Sequence, residues 1–492
     1  MKFKNFGFKR KSGIIMPVAS LPSKYGIGSF GKPCYDFIDF LSKSGQKCWQ
    51  VLPLNPTSYG DSPYQSPSSF AGNPYYIDLE ILYNKKLISK SQLKGAIYDT
   101  YKIDYGHLFF NRINLLKNAF SKFEPTTQYY NFIKKHKSWL DDYALFMALK
   151  EKNGYEPWYE WVDKEKFYKK AKKQKKFLEK SINFYKFLQF EFFSEWQAVL
   201  DYAKEKDIVI LGDLPIYVAY DSVDVWSNTN EFLLDVNLKP TLVAGVPPDA
   251  YSENGQLWGN PIYNFNKMQE NGYKWWVNRI NHTKNLYDIL RIDHFRAFAG
   301  YYVIPADDIT ALNGWWETGV GRKFFDIISK KCNGVKIIAE DLGFITDDVK
   351  ELLDYTGFPG MKVLQFAFYE DNSTYLPKNY KDENCVVYTS THDSETTLEW
   401  FTKIDTSVLN RFKKESQNKR LCMVYQMIDI ALKSKANLAL ITMQDYLKLG
   451  ANARLNVPSK PEGNWTWRLN KNYSNKKIIK KIYNINFINN RI

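Results

Sequence analysis

Short, continuous apolar runs recur along the chain, most of them followed by loop residues and then a helix-like stretch. Eight stand out, at 13–19, 48–54, 208–214, 289–293, 335–340, 362–368, 385–390 and 438–443. Apolarity that is continuous rather than alternating predicts strands buried on both faces, and hence parallel strands. Eight such strands separated by helices predict an α/β fold, a (β/α)8 TIM barrel. An open doubly wound sheet would also put ligands at strand ends, but accounts less well for eight strands.

The spacing is uneven. About 150 residues separate the second and third runs, too many for one crossover. That interval, about 79–206, has a helical pattern rich in Lys, Tyr and Phe, and predicts an inserted helical subdomain. A smaller insertion, also expected to be helical, falls at about 231–281. No repeat or Pro- or Ser-rich linker divides the chain, so residues 1–492 are expected to form one catalytic barrel domain without a separate C-terminal β-domain. Residues 470–492 suit a last helix or a frayed tail.

Three of the runs lead into a carboxylate: Asp293 in Leu290-Arg291-Ile292-Asp293-His294-Phe295-Arg296, Glu340 after Ile337-Ile338-Ala339, and Asp393 after Thr391-His392. Barrel enzymes carry their chemistry at the C-terminal ends of strands. Cleaving an acetal needs one protonated carboxyl for the leaving oxygen and one ionised carboxylate for the emerging cation. Arg291 and Arg296 are expected to depress the pKa of Asp293, leaving it the nucleophile; the apolar approach to Glu340 is expected to raise its pKa, making it the acid and base. Asp393, beside His392, would grip sugar hydroxyls.

Composition narrows the alternatives. The net charge of +15 is spread along the chain; its densest runs, Lys164–Lys180 and Lys476–Lys481, suit solvated helix faces, and no nucleic-acid motif accompanies them. Five cysteines without a C-x-x-C pair argue for a reducing cytoplasm and against a disulfide framework or a zinc site. Five scattered histidines form no metal-ligand spacing, so neither metal nor cofactor is expected. Gly26-Ile27-Gly28-Ser29-Phe30-Gly31-Lys32-Pro33 nearly matches a phosphate loop, but Pro33 stands where a magnesium-binding hydroxyl is needed. No apolar run approaches the ~20 residues of a membrane span.

Arg291 to Arg296, Ala339-Glu340-Asp341-Leu342-Gly343 and Thr391-His392-Asp393 resemble the catalytic segments of the 4-α-glucanotransferases, glycoside hydrolase family 77 of the α-amylase clan. Gly212-Asp213-Leu214-Pro215, Tyr59-Gly60-Asp61-Ser62-Pro63-Tyr64-Gln65, Gly245-Val246-Pro247-Pro248-Asp249 with Gln256-Leu257-Trp258-Gly259-Asn260-Pro261, and Pro461-Glu462-Gly463-Asn464-Trp465 agree with other segments of that family. The resemblance implies a retaining double displacement that moves a segment of an α-1,4-glucan to the 4-hydroxyl of another, with Asp293 as nucleophile, Glu340 as acid and base, and Asp393 as the third catalytic acid. It implies substrate contacts from Arg291, His294, His392, Asp213, Tyr59, Ser62, Trp258, Gln256 and Asn464. Maltose, maltotriose and longer maltodextrins would be the partners, with no nucleic acid, membrane, cofactor or metal; oligomeric state stays open. The rival is a hydrolase of the same clan. The chain departs from the family pattern at Ser394-Glu395, where Asn-Asp is usual, and at Glu253, where a small hydroxylated residue is more common.

Overall fold

The computed structural model describes residues 7–58, 60–248, 252–343, 345–458, 460 and 462–492. In chain order the strands are β1 (Lys11–Ile15), β2 (Cys48–Gln50), β3 (Val209–Leu214), β4 (Leu242–Val246), β5 (Gln256–Pro261), β6 (Ile289–Ile292), β7 (Gly300–Pro305), β8 (Trp315–Thr318), β9 (Ile337–Ala339), β10 (Gly360–Val363), β11 (Cys385–Tyr388) and β12 (Leu438–Thr442). Eight of them form one parallel sheet in the order β10-β11-β12-β1-β2-β3-β6-β9. The two edges meet where Ala339 of β9 donates its N–H to the Pro359 carbonyl at 3.0 Å, just before β10. Each of these strands overlaps one of the eight apolar runs, and the fold is the expected α/β barrel.

Alternation along each strand decides which side chains face the centre. Ile15, Leu211, Ile289 and Ile338 pack together inside the barrel, whereas Ile14, Ile210, Leu290 and Ile337 belong to the outer core beneath the helices. The same parity turns Asp213 and Arg291 inward, and carries on to Asp293 and Glu340 just past their strands.

Three local expectations need correction. β1 ends at Ile15 rather than at residue 19, because Pro17 has no N–H for the ladder and the chain turns into a short helix, Val18–Ser20. β10 lies at Gly360–Val363 rather than 362–368. Asp341 takes the Met361 N–H at 2.6 Å and so sets its start, and Leu364–Phe366 curls into a helical turn that buries Leu364 and Gln365. The stretch 231–281, expected to be helical, contains β4 and β5 ahead of the helices Phe265–Glu270 and Lys274–Thr283. With β7 and β8 they form an antiparallel sheet, β5-β4-β7-β8. Gly245 permits the close approach of β4 to β5, since a Cβ there would lie 2.2 Å from the Gln256 carbonyl oxygen.

Between β2 and β3 the longest helices are Thr127–Lys152 and Glu179–Glu205. Thr126 caps the first by accepting the Tyr129 N–H. The pair is zipped by rings: Phe132 meets both Phe190 and Phe193 at 5.8 Å. After β12 the described residues hold helices, chiefly Lys476–Ile488, and no strand beyond an isolated bridge at Trp467. No helix among the described residues is long and apolar enough to cross a membrane.

Where the long helices meet Lys274–Thr283, two histidines are buried together, His136 and His282, with ring centroids 6.1 Å apart. Burial pushes His282 down to about 3, with the charge on His136 adding to it. Burial likewise lowers His136 to about 4. Unfolded histidine takes up its proton near pH 6.5. Between that pH and about 4 the unfolded chain therefore binds protons that the folded chain refuses, and stability falls as pH falls. We expect the pair to cost a few kcal/mol between pH 7 and pH 4. His282→Gln, which keeps a donor for the Phe70 carbonyl, should flatten this decline when the unfolding midpoint is followed against pH.

Candidate active site

Two of the three acids are held by an extension of the barrel ladder. The Asp293 N–H donates to the Leu214 carbonyl, the Glu340 N–H to the Ile292 carbonyl, and the Phe295 N–H to the Glu340 carbonyl, each at 3.0 Å. β3 and β6 thus each brace the residue that follows their neighbour, and Glu340 in turn holds the loop after β6. Asp393 lies farther from its strand, on the loop after β11.

A buried arginine organises the floor. Arg291 donates from Nε to Asp213 Oδ1 at 2.9 Å and from Nη2 to Asp213 Oδ2 at 2.5 Å; the same Nη2 reaches Asp293 Oδ1 at 2.9 Å. The Asp213–Arg291 pair is almost sealed, with side chains 0% and 4% exposed, whereas Asp293 keeps 28% of its side chain open to the cleft. Glu340 receives two backbone N–H groups, from His294 at 2.6 Å and from Leu342 at 2.8 Å. His294 holds a left-handed conformation, φ 49° and ψ 49°, that aims its N–H at Glu340. Such backbone strain in a non-glycine residue is concentrated at functional sites.

The charges correct one expectation. Arg296 does not flank Asp293; its guanidinium lies 3.9 Å over the Trp316 ring. Nor is Asp293 depressed. Burial pushes it up to about 7; Arg291 opposes the shift, and the carboxylates of Asp213 and Glu340 add to it. Glu340 is raised too, by burial, against the pull of Arg291 and of its two N–H donors. Two neighbouring carboxyls that each resist ionisation share a proton as a pair.

A second group forms one wall. His392 Nε2 meets Asp393 Oδ2 at 3.1 Å. Desolvation within the cleft works to raise Asp393, but the His392 charge and hydrogen bonds from His392 and Asn456 outweigh it and hold the carboxyl at about 2. Burial works against a charged His392, and Asp393 overcomes it, so the imidazole is raised. Tyr64 stacks on His392 at 5.1 Å with planes 11° apart, and its hydroxyl donates to Asp213 Oδ2 at 2.7 Å. Trp465 closes the group, 6.0 Å from His392. Tyr64 and Trp465 lie in segments far in sequence from His392, and nothing in their sequence neighbours marks either ring as facing it.

Trp258 and His294 meet edge-to-face at 5.0 Å, and the Trp258 indole N–H donates to Gln256 Oε1 at 3.1 Å. Burial lowers His294 to about 3, so its ring is neutral. Ser62 shapes the loop that presents Tyr64, accepting the Tyr64 N–H at 3.2 Å. Asn464 is turned to its own loop, bonding Val457 N–H at 2.9 Å and the Lys460 carbonyl at 2.8 Å. Tyr59, and Asp249 in the loop before Trp258, lie outside the described residues.

Residues 16–474 match the family model described as 4-alpha-glucanotransferase. The chain belongs to the 4-α-glucanotransferase family. It is 46% identical to the 4-alpha-glucanotransferase of Clostridium butyricum, over 97% of this chain and all of that one. It is 43% identical to that of Aquifex aeolicus, over 97% and 99%. Among solved structures, the amylomaltase from Streptococcus agalactiae in complex with acarbose superposes with a TM-score of 0.94 at 38% identity, covering 98% of this chain and 100% of that one. With 4-α-glucanotransferase established as the enzyme class, the barrel and the acids at its strand ends have their setting.

Proposed function

We propose that this cleft transfers segments of α-1,4-glucans between maltodextrins by a retaining double displacement. The carrying observation is the asymmetry within the Asp293–Glu340 pair. Arg291 bonds Asp293 directly and opposes its protonation, while the hydrogen bonds Glu340 accepts come from neutral backbone N–H groups, an asymmetry that favours the shared proton on Glu340. Asp293 attacks the anomeric carbon as Glu340 protonates the departing oxygen, and a glucosyl-enzyme forms. Glu340, now ionised, takes the proton from the incoming 4-hydroxyl, which displaces Asp293 and restores the original configuration. Asp393 and His392 receive hydroxyls of the sugar being transferred, Tyr64 offers its ring face, and Asp213 keeps Arg291 in place. Cysteine usage supports a cytoplasmic site of action.

Incubation with maltotriose tests the reading. Disproportionation releases glucose together with maltopentaose and longer chains. Accumulation of small sugars alone would assign the cleft to hydrolysis.

Trp258, beside His294, suits the incoming glucan. Trp258→Ala should raise KM for a glucose or maltose acceptor by up to about tenfold, the loss of one aromatic contact, and increase the share of glucosyl-enzyme lost to water. Initial rates at varied acceptor concentration, with reducing-end release measured in parallel, check both effects.

A further inference from the structure

Asp293 and Glu340 are positioned by the ladder, but Asp393 stands beyond it, and its side chain is 48% exposed. What holds it comes from the chain after β12, the strand next to β11. Asn456, on the chain that follows β12, donates from Nδ2 to Asp393 Oδ1 at 2.7 Å. This engages the carboxylate oxygen that His392 leaves open. Arg454 fixes the backbone at both ends of that bond. Its Nη2 donates to the Asp393 carbonyl at 3.1 Å and its Nε to the Asn456 carbonyl at 2.8 Å.

The arginine is itself held. Nη1 pairs with Glu395 Oε1 at 3.1 Å, and only 13% of its side chain is exposed. Ser394 and Glu395 are where this chain departs from the usual Asn-Asp pattern. Ser394 Oγ accepts the Thr391 N–H at 3.2 Å, and Glu395 also binds Lys403 at 3.2 Å. Farther along, Thr466 accepts the Ile103 N–H at 2.7 Å, and Arg468 donates to the Thr100 carbonyl at 2.8 Å. Arg454 and Asn456 are thus anchored beside Asp393, and Thr466 and Arg468 on residues 100–103.

We propose that Arg454 and Asn456 are positioning residues for Asp393, aiming its carboxylate at the sugar bound next to Asp293. The inference rests on the role given to Asp393 above. A neutral amide suits the task. It orients a carboxylate by one N–H without the full counter-charge of a lysine, and leaves lone pairs free for sugar hydroxyls. The planar fork of arginine can hold two carbonyls and a carboxylate at once; lysine cannot reproduce that geometry.

A double-mutant cycle tests this, with maltotriose disproportionation as the assay and unfolding midpoints recorded for every variant. Asn456→Ala should lower kcat about ten- to hundredfold, the loss of a hydrogen bond to a charged group, with KM changed less than kcat. Asp393→Ala should lower kcat further, and the double variant should be no slower than Asp393→Ala alone, because Asn456 acts through Asp393. Asn456→Asp faces Asp393 with a second carboxylate, and the acid limb of the kcat profile should move to higher pH. Arg454→Lys gives an independent variant, with the same fall in kcat and the same lack of additivity with Asp393→Ala. The proposal is overturned if Asn456→Ala stays within twofold of wild type, or if its loss multiplies with that of Asp393→Ala. Full activity in Asp393→Ala would instead overturn the role of Asp393 itself, and absence of transfer by the wild-type protein the whole catalytic reading.

Discussion

Asp293→Asn is expected to lower glucan transfer by a factor on the order of 10³ or more, as loss of a nucleophile does. The substitution keeps the shape of the side chain and can still accept from Arg291, so binding should survive. It cannot form the glucosyl-enzyme, and it leaves Glu340 without a partner for its proton. The variant should bind maltodextrins with close to wild-type affinity and release almost no glucose from maltotriose. Calorimetric titration with maltoheptaose beside a product profile separates the two effects. A variant that still disproportionates would remove Asp293 from the chemistry.

Arg291→Met is expected to be the most damaging single change to stability near the site. It leaves Asp213 as a buried carboxylate with the Tyr64 hydroxyl as its remaining named donor. Breaking a sealed ion pair from one side costs about 3–5 kcal/mol. The double variant Asp213→Leu with Arg291→Met, which removes both charges, should regain much of the loss, since a buried pair contributes little over apolar residues of similar volume. Denaturant midpoints for both variants check the order. Activity should be lost in both, because Asp293 loses the cation that favours its ionised form.

The barrel strands were legible because a strand buried on both faces must be apolar throughout, a signal that does not depend on its neighbours. Their ends were legible only in part. The Pro17 stop follows from local chemistry, but the start of β10 is set by Asp341, a partner 20 residues away. β4, β5, β7 and β8 escaped because their sheet joins segments on both sides of β6, and β8 is exposed along its length. In the site, the acids and Arg291 announced themselves as charge at the end of apolar runs. The direction of the Asp293 shift did not, since sequence adjacency to Arg296 says nothing about where that guanidinium points. Nor did the bond between Asn456 and Asp393, which spans 63 positions and links two loops.

The ladder that runs past the strand ends also fixes where this chain can vary in length. Asp293 and Glu340 hang from the hydrogen bonds of neighbouring strands, so one residue added within β6 or β9 would turn the acid to the outer face. One added between strands only lengthens a loop, at a closure cost that grows slowly with its size. The long helical passage between β2 and β3, and the small antiparallel sheet, both occupy such tolerant intervals. In evolutionary terms the barrel is a fixed-register frame: new surfaces for gripping glucan chains could be spliced in around the cleft while the reacting pair stayed where it was.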